Sequence, residues 1–252
     1  LIAMTCATFA IAGCGSDTTK TTADNGTSVT WSETFDGTKT DFTVKSAPTH
    51  AVSMSQATTE MMLQLGLEDK MAGTAFKEEE IYPPLQAAYD KVKVLSEKWP
   101  SYEVFMSVKP DFATGWPDSF SKRAIPADKM ISQKVNIWIP ESMLSTKADL
   151  ETNFSDMIKL GEIFGVKPKA EEWVSGQRKT LAAIQDKLKD LPRKRIFIYD
   201  SEDGQPFTAF EGYTTNILKL IGADNVMSGL GVDKTWACLL YTSDAADDSL
   251  RV

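Results

Sequence analysis

The run from Pro168 to Leu191, PKAEEWVSGQRKTLAAIQDKLKDL, constrains most strongly what this chain can become. Pro168 suits the first helical position, where a missing N–H leaves no bond unmade, and Pro192 closes the run. Between them Trp173, Leu181, Ile184, Leu188 and Leu191 recur at helical spacing, with Lys, Glu and Asp on the other side. Such a helix is about 35 Å long, longer than an ordinary globular one. A similar unit stands on either side of it: a short apolar strand, a polar loop, a helix ending in Leu/Ile-Gly, and a second short strand. Upstream it reads HAVSMSQATTEMMLQLGLEDKMAG (His50–Gly73), downstream RIFIYDSEDGQPFTAFEGYTTNILKLIGADNVMSG (Arg195–Gly229). The expected fold class is α/β, with two Rossmann-like lobes joined by a single long helix. A surface helix within one domain is the alternative that the pattern leaves open.

Both ends of the chain read differently from the middle. Residues 1–13, LIAMTCATFAIAG, are uncharged, mostly apolar and too short to span a bilayer, as in the apolar core of a secretory signal. They end in Ile11-Ala12-Gly13-Cys14, which resembles the bacterial lipobox and implies lipidation of Cys14. Residues 14–28 are rich in Ser, Thr, Gly and Asp and are expected to be a flexible tether. The closing run 238–252, CLLYTSDAADDSLRV, looks like the translation of a sequencing-library adapter and is expected to be a non-native tail behind a truncated frame.

With these ends set aside, about 210 residues remain, enough for two small lobes or one large domain. A hydrophobic fraction of 42% and a charged fraction of 25% are those of a globular protein. The formal charge is −8, and no basic stripe exists to displace phosphate counterions, so nucleic acid is not an expected partner. The one dense basic cluster, Lys189–Arg195, sits between a helix and a strand and reads as a solvated junction. Cys6, Cys14 and Cys238 are the only cysteines, and all three are expected outside the folded body, leaving neither disulfide nor thiolate chemistry. His50 is the only histidine, so a His/Cys zinc site and a His-based triad are both excluded.

Folded structure is expected from Val29, with a hairpin turning at Asp36-Gly37. Strands at Ala51–Met54, Lys70–Thr74, Asp111–Trp116 and Val135–Ile139 alternate with helices at Ser55–Leu65, Leu85–Tyr89, Ser101–Val108 and Ala127–Ser132. That alternation implies a mostly parallel sheet covered on both faces, and Leu150–Phe164 adds a further amphipathic helix. The expected segments are therefore an N-terminal lobe at 29–165, a connecting helix at 166–192 and a partial C-terminal lobe at 193–237. Two strands and one helix are too few to close the second core, so that lobe is expected to be incomplete.

The stretches PTHAVSMSQATTEMMLQLGLEDKMAG, VLSEKWPSYEVFMSVKPDFATGW, KRIFIYDSEDGQPFTAF and LKLIGADNV resemble the periplasmic-binding-protein family for iron–siderophore, haem and cobalamin uptake. They cover most of Pro48–Ala237, and the cobalamin-binding members look similar through the KPD-strand-Trp and KRIF…PFT stretches. The resemblance implies a class III substrate-binding lipoprotein, a monomer with no intrinsic cofactor. It would be anchored outside the cytoplasm and would hand its ligand from an inter-lobe cleft to an ABC permease and its ATPase. It also implies that Glu103, in Pro100-Ser101-Tyr102-Glu103, is an exposed carboxylate for an arginine pocket of the permease, and that Trp236 falls where the family often has another aromatic.

Ligands of open α/β sheets bind outside the carboxyl ends of the strands. The residues expected there are Ser55, Gln56, Phe76, Trp99, Trp116, Tyr199, Phe207 and Phe210. Their rings offer flat apolar surface to a large planar or greasy chelate, although each ring could instead belong to the core. Arg123 could reach an anionic chelate, or could be a solvated charge where a helix starts. No Asp, Glu, His or Tyr cluster has the spacing for bare iron, so a metal inside an organic chelate is expected. An extracytoplasmic hydrolase would need a carboxylate pair, and Glu202/Asp203 and Glu78/Glu79 are merely adjacent on loops. Gly229-x-Gly231 lacks the third glycine of a dinucleotide site. A surface adhesin or scaffold on the same tether is the remaining alternative, and a cleft lined by the named aromatics would separate the two.

Overall fold

A computed structural model describes residues 28–202, 204–230 and 234–239. The expected signal, Cys14, almost all of the tether and most of the closing run lie outside these residues.

The chain enters as a hairpin, β1 (Val29–Phe35) and β2 (Thr38–Val44), paired in unbroken register from Val29↔Val44 to Phe35↔Thr38. Asp36 (φ 47°) and Gly37 (φ 78°) are both left-handed, the geometry that lets a two-residue loop match the strand twist. There follow β3 (Ala51–Ser53), α1 (Gln56–Gln64), β4 (Met71–Ala75), α2 (Gln86–Tyr89), β5 (Val94–Ser96), α3 (Tyr102–Ser107), β6 (Phe112–Thr114), α4 (Ala127–Ser132) and β7 (Asn136–Trp138). These strands form one parallel sheet in the order β5-β4-β3-β6-β7. The order reverses between β3 and β6, so the loops after those strands diverge and leave a crevice at their carboxyl ends.

Successive strand residues face opposite layers. Ala51, Phe112 and Trp138 pack with Met62, Leu65, Phe154 and Leu160 on one side. Val52, Ala113 and Ile137 pack with Phe42, Phe105, Ile125 and Met130 on the other. The hairpin closes this second layer: Trp31 stacks on Phe42 at 5.7 Å and donates its indole N–H to the Ile137 carbonyl at 2.7 Å.

After β7 the chain runs into α5 (Leu150–Ile163), which starts at a reciprocal cap between Asp149 and Thr152, and then into α6 (Lys167–Leu188). Gly161 lets the two helices meet, since a Cβ there would lie 2.7 Å from the Ala170 Cβ. The long helix is present, but its apolar stripe is fully buried only near the start, Leu181 and Leu188 being half-buried. Ala170 and Val174 are buried and Trp173 half-buried, whereas Ile184 is 41% exposed and Leu191, beyond the helix end, 60%.

The remainder comprises β8 (Lys194–Ile196), β9 (Tyr199–Glu202), β10 (Pro206–Ala209), α7 (Tyr213–Leu220), β11 (Ala223–Asn225) and β12 (Trp236–Cys238). The short apolar strand expected to open the unit Arg195–Gly229 is two strands: β8 runs parallel to β11, while β9 turns back antiparallel on β10, whose other edge takes β12. Cys238 pairs with Phe207, and the Leu239 N–H donates to the Pro206 carbonyl at 3.0 Å. Cys238 therefore lies inside the folded body, contrary to expectation, because backbone pairing carries the strand past Ala237. Phe210, Met227 and Ala237 form the buried cluster of this half. Among the described residues no helix is long and apolar enough to cross a membrane.

Candidate functional site

At the carboxyl ends of β4, β5 and β6 a pocket of about 400 Å³ is lined by Phe76, Glu78, Trp99, Trp116, Pro117 and Asp118. That volume is within the range of small-molecule sites. Phe76 takes a left-handed backbone (φ 58°), a conformation costly for a bulky side chain, and its ring stacks on Trp99 with centroids 4.6 Å apart and planes 19° apart. The Met54 carbonyl, just after β3, accepts the Trp99 indole N–H at 3.1 Å and the Ser119 hydroxyl at 3.3 Å. One acceptor at the point where strand order reverses thus fixes both walls of the crevice. Gly115 permits this, since a Cβ there would stand 2.8 Å from the Ser119 Oγ and 3.1 Å from the Met54 Cβ.

Gln56 builds the pocket without lining it. Its Oε1 accepts the backbone N–H groups of Glu78 at 2.9 Å and Glu79 at 2.7 Å, and its Nε2 donates to the Glu60 carboxylate and the Glu80 carbonyl. The side chain pins the acidic turn after β4, placing Glu78 where it accepts the Trp116 indole N–H at 3.4 Å. Of the two readings left open for Arg123, the structure shows a solvated charge, its guanidinium donating to Asp118 at 2.6 Å. Ser55 is fully buried, so a ligand role is corrected. Its hydroxyl caps α1 by accepting the Thr58 N–H, and belongs to a buried network with Ser53 and Thr58.

Phe76, Trp99 and Trp116 are brought together, whereas the aromatics of the second half stand apart from this lining. Phe207 and Trp236 are diagonal neighbours across β10 and β12 and stack at 6.0 Å. Tyr199 is 55% exposed on β9, its hydroxyl donating to the Glu202 carboxylate at 3.2 Å. Phe210 has no exposed surface and packs with Met227 and Ala237, which corrects its placement in the binding surface. Glu103 is exposed in the first turn of α3, which Ser101 caps. Its own backbone N–H and the Ser101 hydroxyl hold its carboxyl below the usual value.

Sequence reasoning missed Glu78 and Asp118 as lining residues. Asp118 stands two positions past Trp116 on the turn that Pro117 starts, which is a readable signal. Glu78 carries no such signal within the run Glu78–Glu80. Among the described residues no group of His, Cys, Asp and Glu is arranged to hold a metal ion. What the pocket offers is a stacked aromatic wall, a third ring opposite a carboxylate, and hydrogen-bond acceptors on its rim.

Residues 52–238 match the family model described as periplasmic binding protein. The chain is 27% identical over 229 residues to the uncharacterized ABC transporter substrate-binding lipoprotein YvrC of Bacillus subtilis, covering 88% of this chain and 70% of that protein. It is 25% identical over 180 residues to the vitamin B12-binding protein of Vibrio vulnificus, covering 71% of this chain but only 61% of that one. A crystal structure of a periplasmic binding protein from Veillonella parvula is 94% identical with a TM-score of 0.84, covering 87% of this chain and 75% of that chain.

Proposed function

The chain belongs to the periplasmic binding protein family, and from that premise we propose that it is the lipid-anchored substrate-binding protein of an ABC importer, capturing a metal held in an organic chelate. The family is one of substrate-binding proteins and not of enzymes. Its α/β architecture, with a parallel central sheet and a long helix, is the class III periplasmic binding fold.

The observation that carries the ligand reading is the stacked Phe76–Trp99 pair facing Trp116 at the carboxyl ends of parallel strands. Flat, rigid rings recognise a flat apolar ligand at low entropic cost. Haem and cobalamin present a flat macrocycle, and siderophore chelates present apolar patches around an octahedral metal. Cobalamin fits the rim best, because Glu78 and Asp118 are acceptors suited to amide donors at a macrocycle edge, whereas haem propionates and catecholates would meet the Glu78 carboxylate, which, unlike Asp118, has no ion pair among the described residues. The vitamin B12-binding relative supports the same choice.

In this reading residues 29–165 and 193–237 form the two lobes, residues 166–192 connect them, and the Phe207–Trp236 pair meets the ligand from the second lobe. Glu103 would dock to the permease, and Cys14 would carry the lipid that holds the protein outside the cytoplasm. The test is a titration of intrinsic tryptophan fluorescence with cyanocobalamin, a ferric hydroxamate and haemin. Saturable quenching by cobalamin at about micromolar concentration or below is expected, weakened at least about tenfold by Trp116→Ala. No response to any of the three would overturn the ligand assignment.

A further inference from the structure

The second half of the molecule is joined to the first by α6, yet that helix alone holds it loosely. The buried residues of α6, Ala170 and Val174, belong to the first core, and towards its end Ile184 is exposed. Its hydrogen bond to the second half, from the Gln185 Nε2 to the Leu220 carbonyl, is 3.4 Å long and solvent-exposed.

A closer contact is made between β7 and α5, where residues 141–148 fold on themselves. There the Ser145 N–H donates to the Glu141 carbonyl and the Ala148 N–H to the Ser145 carbonyl, both at 3.1 Å. Asp156, buried on α5, anchors this segment: its two carboxylate oxygens accept the Glu141 and Ser142 N–H groups, each at 2.9 Å. The start of α7 rests on the segment. Asn216 Nδ2 donates to the carbonyl of buried Ala148 at 2.8 Å, while the Lys219 ammonium donates to Asn216 Oδ1 at 3.3 Å, so the amide is oriented from both ends. Gly212, left-handed at φ 87°, sits at the junction: a Cβ there would stand 2.8 Å from the Thr235 Cγ2 and 3.6 Å from the Ser145 carbonyl oxygen. Half-buried Tyr213 feels Asp156, whose charge adds to burial in raising the phenol pKa.

From α7 the contact runs on to the rings of the second half. Thr215 Oγ1 donates to the Phe210 carbonyl at 2.9 Å, and the Asn225 amide donates to Thr215 Oγ1 at 2.7 Å and to the Ala209 carbonyl at 2.8 Å. These four residues are buried. Ala209 is the register partner of Trp236 in β12, and Trp236 stacks on Phe207. Hydrogen bonds thus lead step by step from Asp156 in the first half to the ring pair in the second.

We propose that residues 141–148 are a fulcrum for the second half, and that Asn216 is a positioning residue which, through them, holds the Phe207–Trp236 pair at a set distance from the Phe76–Trp99 pocket. The fulcrum holds whatever the cargo, and only its effect on affinity rests on the binding reading above. A half that is free to swing spends less time where both ring pairs can meet one ligand, and apparent affinity falls by that fraction.

The test places nitroxide labels at Gln133→Cys and Ser201→Cys, both exposed, in the full chain with Cys6, Cys14 and Cys238 changed to Ser. Pulsed electron–electron double resonance then reads the spread of distances between them. Asn216→Ala is expected to widen that spread at least about twofold and to weaken cyanocobalamin binding about three- to tenfold. Asn216→Asp keeps the shape but replaces the donor with an acceptor, and is expected to match Asn216→Ala. Gln185→Ala, which removes the contact from α6, should leave both readouts as they were. Melting temperature should move by no more than about 5 °C in all three, which separates a loosened position from unfolding. An unchanged spread in Asn216→Ala, an Asn216→Asp like the unsubstituted chain, or an equal widening by Gln185→Ala overturns the proposal, as does a widened spread with unchanged affinity. If the unsubstituted chain binds no cobalamin, the ligand reading falls, while the distance spread still decides the fulcrum.

Discussion

Glu33 is a carboxyl where water scarcely reaches. It is 6% exposed beneath the hairpin and accepts the Ile139 N–H at 3.0 Å. Burial pushes its pKa up to about 7, outweighing that hydrogen bond, and Glu141 and Asp156 add to the rise. The folded state therefore holds a proton that the unfolded chain releases near pH 4.5, so stability is full below that pH and declines as pH rises to about 7. The decline is at most about 3 kcal/mol. Glu33→Gln keeps the acceptor and removes the charge, so denaturant unfolding across this range should give a flatter profile and a more stable protein at pH 8. An unchanged profile would mean that another group carries the slope; Asp156, raised mainly by burial, is the one with the same sign. Gln56 behaves differently because its partners are exposed. Gln56→Ala frees the acidic turn at about 1 kcal/mol of stability, and cobalamin affinity should fall about three- to tenfold with little change in melting temperature. Trp116 was legible because it ends an apolar strand with Pro117 behind it, whereas Trp99 stood in a loop with no readable strand before it. Ser55 and Phe210 misled because a capping serine and a core phenylalanine look the same in sequence as their pocket-facing counterparts.

At the scale of elements, the crossing of α5 and α6 is specified by a close approach at Gly161. Even the methyl group of Gly161→Ala would lie 2.7 Å from the Ala170 Cβ, so the helices must separate or shift. A loss of about 1–3 kcal/mol is expected on chemical denaturation, and Gly176→Ala, which meets nothing within 4 Å, should be neutral or stabilising. Equal effects at the two glycines would show that helix propensity, and not packing, sets the cost. The hairpin and most of the helices were readable, because Asp-Gly turns, capping residues and the 3.6-residue period act locally. The strands β5, β10 and β12 were not. They are about as short as β3, β6 and β7 but less buried, so no continuous apolar run marks them, and backbone pairing with strands distant in sequence makes them strands.

Over the whole molecule the two halves are unequal. The parallel sheet lies between two large apolar layers, whereas β8 to β12 share a cluster of three buried side chains and β9 is exposed throughout. Local stability follows buried apolar contact, so amide exchange in β9, β10 and β12 should run at least about tenfold faster than in β3, β4 and β6. Matching protection across both halves would show that they unfold as one unit. The same asymmetry separates what sequence alone determined from what tertiary structure decided. Period, capping and turn chemistry act over a few residues, and they settled the α/β class, the hairpin, the long helix and the aromatic strand ends. Which rings meet, which are core, and which carboxylates line the pocket depended on strand order. Only the folded sheet brings residues 54, 76, 99 and 116 to one rim, since pairing between segments far apart in the chain leaves no local trace.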